Sequence, residues 1–210
     1  MTALAHEGPE ATMSGHDLDE VLWQAWKAME LPEGFHAEII EGSIEVSPTG
    51  RCTHGLVINR LRDKLVVHLA QSDAAARQDM NIIHGRKVWI PDLFLVPEDT
   101  EEHITDDGLG IKASAVHLVV EVASPGRDCL QRGRVRKVRA YARAGIPVYV
   151  IIDEYDSHGH VTVLTSPSPD EGAYADSTRR PYGTDVIISE GPAKGFVIGE
   201  SVTGPSRSGS

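Results

Sequence analysis

Two carboxylates stand where an apolar strand has no use for them. From Val88 to Val96 the side chains alternate across a predicted strand, so Ile90, Asp92, Phe94 and Val96 share a face. Asp92 is the one charge among them. From Val116 to Ala123 the same alternation puts Val119, Glu121 and Ala123 together, and Glu121 is again the single charge. A buried carboxylate without a partner is costly, so it pairs, binds a metal or stays protonated. Two of them on successive strands point to a shared metal site. The alternative is that each pairs with an arginine of the helix that follows.

That helix, predicted over 127–143, carries Arg127, Arg132, Arg134, Arg136, Lys137, Arg139 and Arg143 against one acid, Asp128. Most of these read as a solvated face. Val135, Val138 and Ala142 define the expected buried stripe, with Lys137 and Tyr141 as an i, i+4 pair on its flank. A lysine there can run its stem along the sheet and bring its ammonium to Asp92 and Glu121.

The elements that must position these residues follow from periodicity. Residues 1–16 read as a flexible tail. Asp17 is an expected N-cap for a helix over 18–30, ended by Pro32 and Gly34. His36–Ile40 and Ser43–Ser47 form a predicted hairpin around Glu41-Gly42. A second helix runs from about Thr53 to Gln71 on Val57, Leu61, Leu65 and Leu69. Strands are expected over 79–84, 87–96 and 116–123. Between the last two lies a solvated loop with six acids, Glu98 to Asp107. After the basic helix, Gly145 and Pro147 stop the chain before a buried strand over 148–153. Extra strands follow at 160–165 and 185–189, with 166–183 a loop and a disordered Gly/Ser-rich tail over 199–210. The order from 53 to 153 is helix, three strands, helix, strand. This is an α/β layered fold, read as one domain over 17–198.

Composition narrows the function. The chain has 210 residues, 40% hydrophobic and 24% charged, as a folded globular protein does. Aromatics are 5%, too few for a surface built on base stacking. A net charge of −11 argues against a non-specific DNA coat while allowing a local basic ridge. Cys52 and Cys129 cannot form a zinc site alone and read as free thiols in a reducing cytoplasm. No secretory signal or membrane span is expected.

Taken together these residues resemble the PD-(D/E)xK nuclease superfamily, and within it the Uma-type branch of restriction-endonuclease-like proteins. The resemblance covers about residues 17–200. It rests on Glu38-Ile39-Ile40-Glu41-Gly42, Ser47-Pro48 followed by His54, Pro91-Asp92, and Glu121-Val122-Ala123-Ser124-Pro125. Lys137 with Tyr141 and Ala144-Gly145-Ile146-Pro147-Val148-Tyr149 leading to Asp153 complete it. It implies a restriction-endonuclease-like core with an N-terminal helix and hairpin and extra C-terminal strands. It also implies a Mg²⁺ (or Mn²⁺) site held by Asp92, Glu121 and the Val122 carbonyl, with Glu38 as an added carboxylate. The superfamily's lysine stands two residues after the glutamate; that position is Ala123, and Lys137 is the replacement. Gly133 occupies a place where the branch usually carries an aspartate.

His54 reads either as a packing or capping histidine or as a contact beside the site, with Tyr141. Arg134 and Arg139 are the expected DNA contacts. The leading expectation is a Mg²⁺-dependent DNA endonuclease in the cytoplasm, with no membrane partner and a homodimer as a candidate assembly. The alternative is a catalytically silent member of the same fold, serving as a protein-interaction or dimerisation module.

Overall fold

The computed structural model describes residues 15–48, 50, 52–123, 127–156 and 159–206, and for 127–134 the backbone only. The N-terminal half contains α1 (Gly15–Lys27), β1 (Phe35–Ile40), β2 (Ser43–Pro48), α2 (Cys52–His68), β3 (Ala74–Arg77), β4 (Ile82–His84), β5 (Lys87–Trp89) and β6 (Leu93–Pro97). It continues with β7 (Ile111–Lys112), β8 (Leu118–Val122), α3 (Arg127–Arg143), β9 (Val148–Asp153), β10 (His160–Ser168) and β11 (Ala173–Pro181). The chain closes with β12 (Val186–Ile187), β13 (Val197–Ile198) and α4 (Glu200–Thr203). Residues 1–14, most of the expected tail, lie outside the described residues.

Two sheets do the positioning. The six-stranded sheet runs β11-β10-β9-β8-β6-β3, and its one parallel pair is β8 with β9. The five-stranded sheet runs β2-β1-β5-β4-β7. Leu118, Val120 and Val122 point to one side of β8, where Ile58, Leu61 and Leu65 of α2 meet them. Val119 points to the other side, into a cluster with Ala140 and Tyr141 of α3 and Trp89 of the second sheet. Each such buried aliphatic side chain contributes roughly 1.5–3 kcal/mol. Cutting Leu65, fully buried, to alanine would cost about 2–5 kcal/mol.

The structure corrects the expected strands. The stretch 87–96 is not one strand. Pro91 has no N–H for a ladder and pushes Ile90 away from regular pairing, so the chain leaves one sheet at Trp89 and enters the other at Leu93. Asp92 therefore sits in a break, not in a strand's alternation. The core's first strand is Ala74–Arg77, whose alanines carry too little hydrophobic signal to announce it, while Ile82–His84 belongs to the second sheet. Residues 173–181, expected as loop, form an edge strand whose polar Asp176–Arg180 lacks any alternation.

Other expectations shift by register. Helix α1 starts at Gly15, with Asp17 inside its first turn. The six acids from Glu98 to Asp107 are exposed, around a short 3₁₀ turn at Thr100–His103. In α3, Val135 is 53% exposed, and the inward face is centred on Lys137, Ala140 and Tyr141. The small Ala140 and Ala142 let the helix approach the sheet closely. The tail expected to be disordered from Gly199 instead turns into α4, with Val202 fully buried; residues 207–210 lie outside the described ones. The hairpin turn is as expected: Glu41 and Gly42 have φ of 42° and 78°, the left-handed pair of a type I′ turn.

Candidate active site

The carboxylate of Glu121 projects from β8 on the side facing α3. Its Oε1 accepts two hydrogen bonds, from Lys137 Nζ at 2.8 Å and from the Tyr141 hydroxyl at 2.6 Å. The i, i+4 spacing on α3 stacks these donors one turn apart, so a single oxygen meets both. Lys137 also lies 3.2 Å from Glu38 Oε1. Glu38, 4% exposed, reaches in from β1, and the same oxygen accepts the Ile90 N–H at 2.8 Å. Ile90 is the residue that Pro91 forces out of the ladder. Its displaced N–H is thus satisfied by a carboxylate.

Asp92 lies at the same sheet end, near enough for its charge to act on Glu121. Its Oδ2 accepts the Val122 N–H at 2.6 Å and lies 3.2 Å from His54 Nε2. His54 Nε2 is also 3.0 Å from the Val122 carbonyl oxygen. Both partners are acceptors, so Nε2 carries the proton. Gly50 lies against the back of this ring. A Cβ there would overlap Nδ1 and come within 2.8 Å of Cε1 and Cγ. Gln78 supports the break itself, donating to the Asp92 carbonyl at 3.5 Å.

Burial and crowding set the charges. Burial pushes the Glu121 carboxyl up to about 7; Lys137 opposes this, and the charges of Asp92 and Glu38 add to it. For Lys137 burial pulls down, but Glu121 and Glu38 outweigh it, and its pKa lies well above the usual lysine value. Burial likewise holds the Tyr141 phenol well above its usual range, so it stays neutral and donating. The hydrogen bond to Asp92 raises His54 against the opposing effect of burial.

The structure thus brings together Glu38, Glu121, Lys137 and Tyr141, with Asp92, His54 and Val122 beside them. Arg139, one of the two expected DNA contacts, is not part of this group. Arg139 grips Glu41 with Nε at 2.7 Å and Nη2 at 2.6 Å. Arg143 reaches the same carboxylate at 3.4 Å, and Arg136 binds Glu45, the Ile40 carbonyl and, at 2.6 Å, Ser43 Oγ. The Arg134 side chain lies outside the described residues. Sequence reasoning missed the Ile90–Glu38 bond, which Pro91 could have signalled. It also missed Gly50, which no local pattern marks.

Among the described residues, no three His, Cys, Asp or Glu side chains form a ready-made metal cage. The oxygens present still suit magnesium, which takes one or two carboxylates and keeps its remaining places for water and phosphate. Oδ2 of Asp92, Oε1 of Glu121 and the Val122 carbonyl carry the hydrogen bonds described above, while Oδ1 of Asp92 and Oε2 of Glu121 are further hard oxygens at the same sheet end.

Comparison with known proteins gives two findings. The family model described as "Uma2: Putative restriction endonuclease" matches residues 23–198. A crystal structure of a "putative nuclease belonging to DUF820" from Anabaena variabilis ATCC 29413 superposes with a TM-score of 0.66 at 16% identity. The alignment spans 87% of this chain and 97% of that one, and shows a shared fold. No curated protein matches. With the match running from α1 to β13, the chain belongs to the Uma2 family.

Proposed function

We propose that this chain is a magnesium-dependent endonuclease that hydrolyses phosphodiester bonds of DNA in the cytoplasm. The observation that carries the reading is the meeting of Glu121 with Lys137 and Tyr141, one turn apart on α3, beside Asp92. Hydrophobic residues in place of the whole pair would fill the space without the cost of burying charge.

Asp92, Glu121 and the Val122 carbonyl hold the metal in this reading. Bound magnesium supplies Lewis acidity towards the phosphate and the attacking water. The rest of the chemistry belongs to the chain. Lys137, whose neighbours keep it protonated, donates a hydrogen bond and positive charge; it is not a base. It orients the attacking water and offsets charge building on the phosphate. Tyr141 fixes the Glu121 carboxylate through a neutral hydroxyl. His54 holds Asp92, and Glu38 keeps Lys137 from swinging to solvent while pinning Ile90 ahead of Asp92. Arg134 contacts the DNA backbone, and Arg139 does so by exchanging Glu41 for a phosphate.

A second reading, a silent module of the same fold, is favoured by one observation. Arg136, Arg139 and Arg143 already spend their charge on Glu41 and Glu45. A plasmid-nicking assay with Mg²⁺ or Mn²⁺ separates the two. Nicking by the wild type that disappears in Asp92→Ala supports the nuclease. A wild type that leaves plasmid intact with either metal supports the silent module. In the nuclease reading, neutralising Arg134 and Arg139 together should flatten the salt dependence of DNA binding.

A further inference from the structure

Strand β11 ends the six-stranded sheet, and Ala175–Pro181 are all exposed. An edge of this length offers unpaired backbone groups to another strand, and proteins usually blunt such edges with short strands or unmatched charge. The other end of the sheet follows that rule, because β3 has four residues. The nine residues of β11 are not short, and their charges are of both signs, so they can complement a second copy instead of repelling it.

We propose that β11 is the surface on which two copies of this chain pair, edge to edge and antiparallel, with Thr178 on the two-fold axis. The sequence of the edge selects the partner and the register. Tyr174 turns towards the α3 side of the sheet, where its hydroxyl donates to the Ile146 carbonyl at 2.9 Å. Further along, Thr178 and Arg180 stand opposite Val163 and Val161 of β10, which join the core on the α2 side, so alternation puts Asp176, Thr178 and Arg180 together on that α2 side of the sheet. In an antiparallel pair centred on Thr178, Asp176 of each copy stands opposite Arg180 of the other, and Thr178 opposite its own copy. Opposite charges and Thr–Thr pairs are favourable cross-strand neighbours. On the other side Ser177 faces Arg179. Moving the axis to Arg179 would set two arginines against each other. Moving it to Ser177 would separate both charge pairs.

The charges are free for this use. Asp176 accepts one hydrogen bond, from Ser166 Oγ at 2.7 Å through Oδ2. Arg180 donates through Nη1 to the neighbouring Arg179 carbonyl at 3.0 Å. Neither forms an ion pair with another described residue. Arg179 is different, being bound to Asp156 at 2.6 Å. Pairing makes one continuous sheet, with β10 and β9 separating the edge from Glu121 on β8 in each copy. The proposal therefore does not depend on the nuclease reading.

Sedimentation of the full chain tests it. The wild type should be a dimer. Asp176→Arg or Arg180→Asp alone sets like charges together at two places per interface, and each should weaken association about tenfold or more. The double variant, Asp176→Arg with Arg180→Asp, restores opposite charges and should recover association to near the wild-type value. Circular dichroism identifies any variant that fails to fold, and the double swap then decides alone. A monomeric wild type overturns the proposal. So does a dimer that is indifferent to the single swaps, or one that the double swap fails to restore.

Discussion

Lys137 reaches Glu121 from the following helix, at 2.8 Å, while Ala123 occupies the position two residues along the strand. Only the final place of the ammonium matters to the carboxylate, so a lysine delivered across the sheet serves as one delivered along it. If Asp92, Glu121 and Lys137 act on one phosphate, their losses are not independent. Asp92→Ala and Lys137→Ala should each lower nicking on the order of 10²–10³-fold. The double variant should be hardly worse than either. A double loss equal to the product of the single losses means two separate roles.

Glu41 joins the hairpin turn to three arginines of α3. Its hydrogen bond from Arg139 holds the carboxyl below the usual range, with the nearby charges of Arg139, Arg143 and Arg136 adding to this. A depressed carboxyl contributes stability above its unfolded value, near 4.5, and loses it as pH falls through the folded value. Melting temperature should therefore drop below about pH 4.5 more steeply in the wild type than in Glu41→Asn. Asparagine also suits the left-handed backbone at this position. Equal slopes for the two proteins would show that the arginines gain nothing from Glu41.

Much of the frame was legible because it rests on strong local signals. The apolar Val148–Asp153, the stop at Gly145-Ile146-Pro147 and the Glu41-Gly42 turn each follow from their own residues. Of the candidate site, Asp92 and Glu121 stood out as lone charges in apolar stretches. What escaped depends on partners distant in sequence. Ala74–Arg77 becomes a core strand only because Phe94–Pro97 pairs with it. The Arg139–Glu41 bond needs the hairpin to fold over α3, so a helix that reads as a free basic ridge is largely neutralised. Val135 shows the same limit. Helical periodicity gives an apolar stripe, but the sheet selects the flank that carries Lys137 and Tyr141.

Gly50 should matter through His54 alone. A Cβ at Gly50 has no room while the imidazole stands where it does. Gly50→Ala should therefore move the ring off Asp92 and the Val122 carbonyl while leaving the core intact. Nicking should fall as far as in His54→Ala, and unfolding free energy should change by less than about 1 kcal/mol, as for most surface changes. Combining the two substitutions should add nothing further. Full activity in Gly50→Ala would show that the ring's position is unimportant.

The carboxylate cluster can also be tested without any substrate. Glu38 and Glu121 place two carboxylates on one ammonium, and the charge of nearby Asp92 helps keep the Glu121 carboxyl raised. Asp92→Asn keeps the shape and removes one charge, so in EDTA it should melt at or above the wild-type temperature. Added Mg²⁺ should raise the wild type. With a millimolar dissociation constant and metal at about ten times that level, mass action gives about 1.4 kcal/mol. For a chain of this size that is roughly 3–5 °C. The mutant should hardly respond, having lost a ligand. Lys137→Met provides the opposite control, because it leaves Glu121 and Glu38 buried without their cation and should cost about 3–5 kcal/mol in EDTA. Differential scanning fluorimetry on the three proteins, with and without Mg²⁺, reads all of this. An Asp92→Asn protein that melts far below the wild type in EDTA, with no Mg²⁺ effect on either, would mean that Asp92 serves His54 and Val122 as a structural anchor and holds no metal.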